Sequence, residues 1–220
     1  MKPLVRSIFL VPILMMAALR ANAEVTVAKG VAKIVVGSLP PFTATCFVTD
    51  VPAGWRPIYP DLRQAALADG KQNLVYTTVA GSPVTVERAI EESDSRVRIT
   101  DSFPEEAATL QLAKSMIIEF PGMDVADAVV EYVESNKADA GGRRWSEMAE
   151  GSSKPVPVTC SGVSLTYPSG EKLTIQFDEP RAVSANAPAA DSKDLYSFRI
   201  AYPEAPSKST FEFRIEGKGK

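Results

Sequence analysis

Val163-Ser-Leu-Thr-Tyr167, Pro168-Ser-Gly-Glu171 and Leu173-Thr-Ile-Gln-Phe177 read as strand, turn and strand, because apolar side chains fall at every second position on either side of a turn-forming tetrapeptide. The same alternation returns at Tyr196, Phe198, Ile200 and Tyr202, and again at Phe211, Phe213 and Ile215. A period of two places alternate side chains on one face, so each segment has an apolar face to bury and a polar one to leave wet. Successive segments of this kind joined by turns predict an antiparallel sheet that must pack on a second layer. The expected fold class is therefore all-β, a two-layer antiparallel β-sandwich with little helix.

Upstream the pattern continues. Val25–Val27, Ile34–Val36, Phe42–Thr49, Asn73–Val79, Pro83–Ile90 and Arg96–Thr100 read as strands, separated by Ala28-Lys29-Gly30, Ala80-Gly81-Ser82 and Glu91-Glu92-Ser93-Asp94-Ser95. Asp50 to Pro60 carries three prolines and a glycine and must turn or run extended. Asp61–Ala68 offers two helical turns with Asp61 as N-cap, though Leu62, Gln64, Ala66 and Ala68 also fit an extended chain. Ala107–Phe120 reads as strand, with helix the competing reading of its Ala-rich start. Met123–Glu134 is open between the two, with Val125, Val129 and Val133 four apart. Ser135–Pro157 and Asp178–Asp194 read as long loops.

The first 23 residues have the form of a secretory signal peptide. Lys2 and Arg6 precede an apolar run from Ile8 to Leu19, and Ala21-Asn22-Ala23 supplies the small-x-small cleavage site. A run this short does not span a bilayer, which needs about 20 apolar residues. The expectation is a periplasmic or extracellular protein whose residues 24–220 form one β-sandwich domain, with no membrane span after cleavage. Without Lys2, Arg6 and Arg20 the chain keeps 21 basic residues against 27 acidic ones, a formal charge of −6. That balance argues against nucleic acid as a partner. The basic clusters Arg143-Arg144 and Lys218-Gly219-Lys220 are short enough to be solvated surface.

Cys46 and Cys160 are the two cysteines, and in an oxidising compartment they could form a disulfide that ties the first strands to the C-terminal sheet. Histidine is absent altogether. The chain therefore has no Ser-His-Asp or Cys-His nucleophile, no imidazole base and no His-containing metal site. No phosphate-binding glycine motif occurs, and no cofactor is expected. The acidic clusters Glu91-Glu92, Asp94, Glu105-Glu106 and Asp178-Glu179 could supply a catalytic carboxyl pair or, at Glu91–Asp94, oxygen ligands for Ca²⁺. All lie in expected turns, where acids serve solubility, so no catalytic or metal-binding residue is assigned. The candidate ligand-binding residues are Trp55, Arg56 and Tyr59 in the Pro-rich segment, and Arg143, Arg144 and Trp145 in the long loop. Exposed aromatics stack on sugar rings, and arginine holds hydroxyls or carboxylates. The competing reading is that both tryptophans cap the core beneath loops.

Trp55-Arg-Pro-Ile-Tyr-Pro60, Leu74-Val-Tyr-Thr-Thr78, Val84-Thr-Val-Glu-Arg88, Arg96-Val-Arg-Ile-Thr100, Ser169-Gly-Glu-Lys-Leu-Thr-Ile-Gln-Phe-Asp-Glu-Pro180 and Tyr196-Ser-Phe-Arg-Ile200 follow one another in an order that resembles the β-supersandwich, the galactose-mutarotase-like domain of secreted bacterial polysaccharide-active enzymes. The resemblance covers most of residues 25–217 and implies the fold and a sugar-related setting. The family's mutarotases use histidine as general acid, which this chain lacks, so that activity is not implied. The leading expectation is an exported non-catalytic module that binds carbohydrate or serves a polysaccharide-processing system. The alternatives are a lyase or glycoside hydrolase that uses Asp or Glu without histidine, and a structural cell-envelope protein with a protein partner.

Overall fold

The computed structural model describes residues 23–28, 30–61, 67–122, 125–135, 142–149, 156–188, 195–203 and 208–216. Its strands are β1 (Ala23–Ala28), β2 (Val31–Val36), β3 (Phe42–Asp50), β4 (Arg56–Ile58), β5 (Lys71–Thr77), β6 (Pro83–Ser93), β7 (Arg96–Ser102), β8 (Leu112–Pro121), β9 (Val129–Val133), β10 (Arg143–Arg144), β11 (Val158–Thr166), β12 (Lys172–Asn186), β13 (Leu195–Ala201) and β14 (Lys208–Glu216). Two short helices, α1 (Glu106–Thr109) and α2 (Trp145–Ala149), complete it. The pairings between named strands are antiparallel and follow the order β1-β2-β3-β8-β13-β12-β14-β7-β6-β5, with β11, β9 and β10 joined through β12 and β4 added to β3. The ladder curls until β1 and β2 lie against β6 and β7, so its inner faces enclose one hydrophobic core. The all-β antiparallel architecture is the one that the alternation predicts.

Each inner face is written in the sequence. Phe42, Ala44, Cys46 and Val48 of β3 are buried, as are Phe198 and Ile200 of β13 and Phe211 and Phe213 of β14. The polar residues between them point outward, where Arg98 of β7 pairs with Glu212 of β14 at 2.8 Å and Glu91 of β6 at 3.2 Å.

β12 shows how the ladder turns from one layer to the other. Its first half, Lys172–Phe177, pairs with β14, and its last part, Val183–Asn186, pairs with β13. Between them Asp178-Glu179-Pro180-Arg181 makes the corner, where β11 shifts register between Cys160 and Gly162. Proline has no N–H to give a ladder, and the bulge bends the chain. Arg181 is buried at this corner and donates to Asp178 at 2.7 Å and to the Ser209 hydroxyl at 3.2 Å, with Glu179 Oε1 2.9 Å from its other terminal nitrogen. Gly162 must be glycine there, since a Cβ would stand 2.7 Å from the Ile175 carbonyl oxygen.

Several expectations change. Asp178–Asn186 is strand rather than loop, because the Asp-Glu-Pro turn chemistry makes a strand corner and not a chain reversal. Ala107–Phe120 is both of its rival readings in series: α1, then a break at Gln111 with φ 50°, then β8. Within Met123–Glu134, Val129–Val133 is strand β9, paired with β11. The expected loop Ser135–Pro157 contains β10 and α2. Cys46 and Cys160 are free thiols rather than a disulfide. Their surroundings differ, Cys46 lying beside Asp101, Arg88 and Tyr76, and Cys160 beside Tyr132. The leader apart from Ala23, residues 62–66 of the segment Asp61–Ala68 that offered two helical turns, and the tail Lys218–Lys220 lie outside the described residues, while Ala68 forms an antiparallel bridge with Lys71. Among the described residues no helix is long and apolar enough to cross a membrane.

Candidate ligand-binding site

Trp55 ends the turn that follows β3. Asp50 builds that turn: its carboxylate accepts from the Ala53 N–H at 3.2 Å and, through the other oxygen, from the Val79 N–H at 2.8 Å. The Gly54 N–H then donates to the Val51 carbonyl at 3.0 Å. The chain leaves the turn with Trp55 at φ 62° and its side chain 66% exposed. A left-handed backbone costs a bulky L residue about 1–2 kcal/mol, and such strain collects at functional positions. Gln111 has φ 50°, and it faces the same cleft of about 520 Å³ as Trp55, together with Leu112, Lys114, Tyr202 and Pro203.

Behind this cleft the core is polar. Arg88 and Asp101, both fully buried, form a two-pronged ion pair with Nε to Oδ1 at 2.7 Å and Nη2 to Oδ2 at 2.8 Å. Tyr202 donates its hydroxyl to Asp101 Oδ2, and Arg88 Nη1 reaches the Ala44 carbonyl at 3.4 Å. Tyr76 donates to the Cys46 carbonyl at 2.7 Å. Burial, with the Asp101 charge behind it, pushes the Cys46 thiol up to about 12, so it is no nucleophile near neutral pH. Burial likewise raises the Tyr76 and Tyr202 phenols well above their ordinary value. Neither the Cys46 thiol nor the two phenols loses its proton near neutral pH. The arrangement of the network holds Tyr202 at the floor of the cleft.

The sequence-predicted residues separate. Arg56 and Tyr59 are exposed beside Trp55, Tyr59 at 72%. Trp145 is fully buried, its ring stacked on Phe198 at 4.3 Å and edge-on to Tyr196 and Phe120 at 5.3 and 5.5 Å. Arg143 and Arg144 are exposed and turn to Glu147 of α2: Arg143 donates to its carbonyl at 3.4 Å, and the Arg144 guanidinium lies 3.8 Å from its carboxylate. The Trp55 cleft contains Leu112, at the start of β8, whereas Trp145 packs on Phe120, near its end. Eight residues of strand put these points roughly 25 Å apart. Trp55 and Trp145 therefore do not share a site.

Of the acidic clusters, Glu91 pairs with Arg98, while Asp178 and Glu179 pair with Arg181. Among the described residues no three His, Cys, Asp or Glu side chains gather as metal ligands would. A second cleft of about 600 Å³, lined by Ser38, Leu39, Asp127, Tyr167 and Glu171, opens at the Trp145 end, but it presents no exposed aromatic ring.

Sequence reasoning missed Lys114, Tyr202 and the Arg88–Asp101 pair, although each of the three charges left a signal. Lys114 interrupts the inward series Leu112, Met116, Ile118, Phe120; Arg88 interrupts Val84, Val86, Ile90; Asp101 follows Val97 and Ile99. A charge at an inward position of an alternating strand must be paired inside or stand at an opening.

No protein-family model and no curated protein sequence matches this chain. Among solved structures it is similar to an α-N-acetylgalactosaminidase, NagBb, from Bifidobacterium bifidum, determined as its GalNAc complex: the TM-score is 0.52 at 10% identity. The likeness covers 90% of this chain and 36% of that one, so the chain spans about a third of the enzyme's length. At this identity the shared feature is the fold: the β-sandwich of this chain recurs within a glycoside hydrolase.

Proposed function

We propose that this protein is an exported, non-catalytic β-sandwich module that binds carbohydrate in the cleft beside Trp55, in the service of a polysaccharide-processing system. The observation that carries the reading is Trp55 itself, held at φ 62° with two thirds of its surface open at the rim of a 520 Å³ cleft. A flat, exposed aromatic ring offers a stacking platform to a sugar, and Gln111 and Tyr202 supply polar atoms or a second ring nearby. Two further facts support it. The fold recurs in an enzyme whose name is that of a sugar hydrolase, over only part of that enzyme. The order of strands also resembles the supersandwich of secreted polysaccharide-active enzymes, without the histidine its mutarotases need. Export rests on the leader read at residues 1–23.

The two tryptophans make the test internal. Acrylamide should quench Trp55 and spare Trp145. A glycan array identifies binders, and each binder should protect Trp55 from the quencher, whereas Trp55→Ala should remove binding without unfolding the protein. Absence of binding to any neutral or acidic glycan, by array and by calorimetry, would overturn this reading.

A further inference from the structure

We propose that the ligand of the Trp55 cleft is a glycan chain bound along its length, several sugar units at once, and that Phe47, Arg199 and Tyr59 carry the part that runs out of the cleft; this rests on the carbohydrate reading above. Ser115 and Ala201, which line the cleft, are paired across β8 and β13, and Ser115 is paired in turn with Phe47 of β3. The residues beside them along their strands, Cys46, Val48, Met116 and Ile200, are buried in the core, so this row faces outward. Tyr59 extends the row. It follows Ile58, which is buried and pairs with Val48, so its ring stands outward at the level of Phe47 and is 72% exposed. Neighbouring strands lie about 4.8 Å apart, so the row from Ala201 to Tyr59 runs on the order of 14 Å across the sheet. Arg199 is exposed on the same face and crosses the row. Its Nε donates to the Ser115 hydroxyl at 3.0 Å, and its guanidinium carbon sits 5.3 Å from the centre of the half-buried Phe47 ring. That hydrogen bond uses Nε and leaves both terminal nitrogens as donors for sugar hydroxyls, while the ring beneath holds the guanidinium in place. Trp55 belongs to the same strip, since it precedes Tyr59 by four residues, at most about 14 Å of extended chain. The strip begins in the cleft and ends on the open face of the sheet. A terminal sugar calls for a closed pocket, whereas a strip open at its outer end lets a chain enter and leave, and each further ring adds stacking area that a single sugar cannot use.

Calorimetry on the full chain would compare the disaccharide with the hexasaccharide in the cello-, xylo- and galacturonate series and in whichever glycan the array selects. The expected result is that in at least one series the hexasaccharide binds about tenfold or more tighter than the disaccharide. Tyr59→Ala and Arg199→Ala should each take away most of that gain and change disaccharide binding far less, whereas Trp55→Ala should weaken both lengths. Both side chains are exposed, and the two substitutions are independent, so poor folding of one leaves the other to decide. Equal affinity for the two lengths with Trp55 protected would overturn the strip and leave the carbohydrate reading intact. So would a gain that survives both substitutions, because a longer chain offers more registers to a single Trp55 site. Binding of no glycan at either length would overturn both.

Discussion

The two ends of the sandwich treat a tryptophan in opposite ways. At the end where β8 finishes, Trp145 is sealed into an aromatic cluster with Phe120, Tyr196 and Phe198, and Phe42 continues the cluster by stacking on Phe120 at 5.1 Å. At the end where β8 begins, Trp55 stands in solvent, and the core behind it holds Arg88, Asp101, Lys114 and Tyr202. The first end is dry, apolar and close-packed. The second has charges and hydroxyls inside and a cleft outside. A buried ion pair adds little net stability compared with apolar side chains of the same size, so the polar end sacrifices packing for a fixed opening. The two ends differ in what each gives up.

Truncation at the dry end should have the largest effect. Trp145→Ala removes a fully buried ring that touches three aromatics, and a cost of about 3–5 kcal/mol is expected in urea unfolding. Trp145→Phe should cost far less: it keeps the ring stacked on Phe198 and removes an indole N–H that has no hydrogen-bond partner among the described residues, a group expensive to bury. If Ala and Phe at 145 were equally tolerated, the aromatic cluster would not be what closes this end.

The polar end should declare itself in alkali. Cys46 has its thiol raised to about 12 by burial and by the Asp101 charge, above its unfolded value of 9.0. A raised pKa on a group that is neutral when protonated gives stability that is complete below the unfolded value and lost as pH climbs from about 9 towards 12, since only the unfolded chain can shed the proton. The Cys46 share of that loss is on the order of 2–3 kcal/mol at pH 11. Tyr76 and Tyr202, also raised, add to it. Urea melts at pH 7 and pH 11 should therefore separate, and Cys46→Ala should narrow the separation whatever it does to stability at pH 7. An unchanged pH dependence in Cys46→Ala would place the alkali-sensitive groups elsewhere.

Much of this contrast was legible in the chain, though not where aromatic content drew attention. Alternation located β3, β5, β6, β7, β13 and β14 because each has one buried face. It failed at β12, where Asp178-Glu179-Pro180 carries turn residues but Arg181 satisfies the corner from within and the strand continues. It also failed at Ala107–Leu112, where a strained Gln111 lets helix and strand abut. The tryptophans were indistinguishable by local composition, since each sits near arginine, proline or glycine. What separates them is long-range: β8 and β13 bring Phe120 and Phe198 to Trp145, while the Asp50 carboxylate turns Trp55 outward. Lys114, Arg88 and Asp101 were visible as breaks in alternation and marked the polar end better than the aromatics did.

The smallest effect is the most informative about the cleft. In an ordinary turn, replacing a residue by glycine costs more than replacing it by alanine, because glycine gains freedom in the unfolded chain. At Trp55 the order should reverse. With φ at 62°, alanine keeps the steric penalty of the left-handed region while glycine loses it, so Trp55→Gly should be more stable than Trp55→Ala by about 1 kcal/mol. Neither variant removes buried area comparable with Trp145, since the ring is mostly exposed. The glycine variant should thus match or exceed the parent in stability while losing glycan binding, the signature of a residue kept for its ligand rather than for the fold. If alanine proved the more stable, the turn would relax around position 55 in solution, and the rim of the cleft would form only when the ligand arrives.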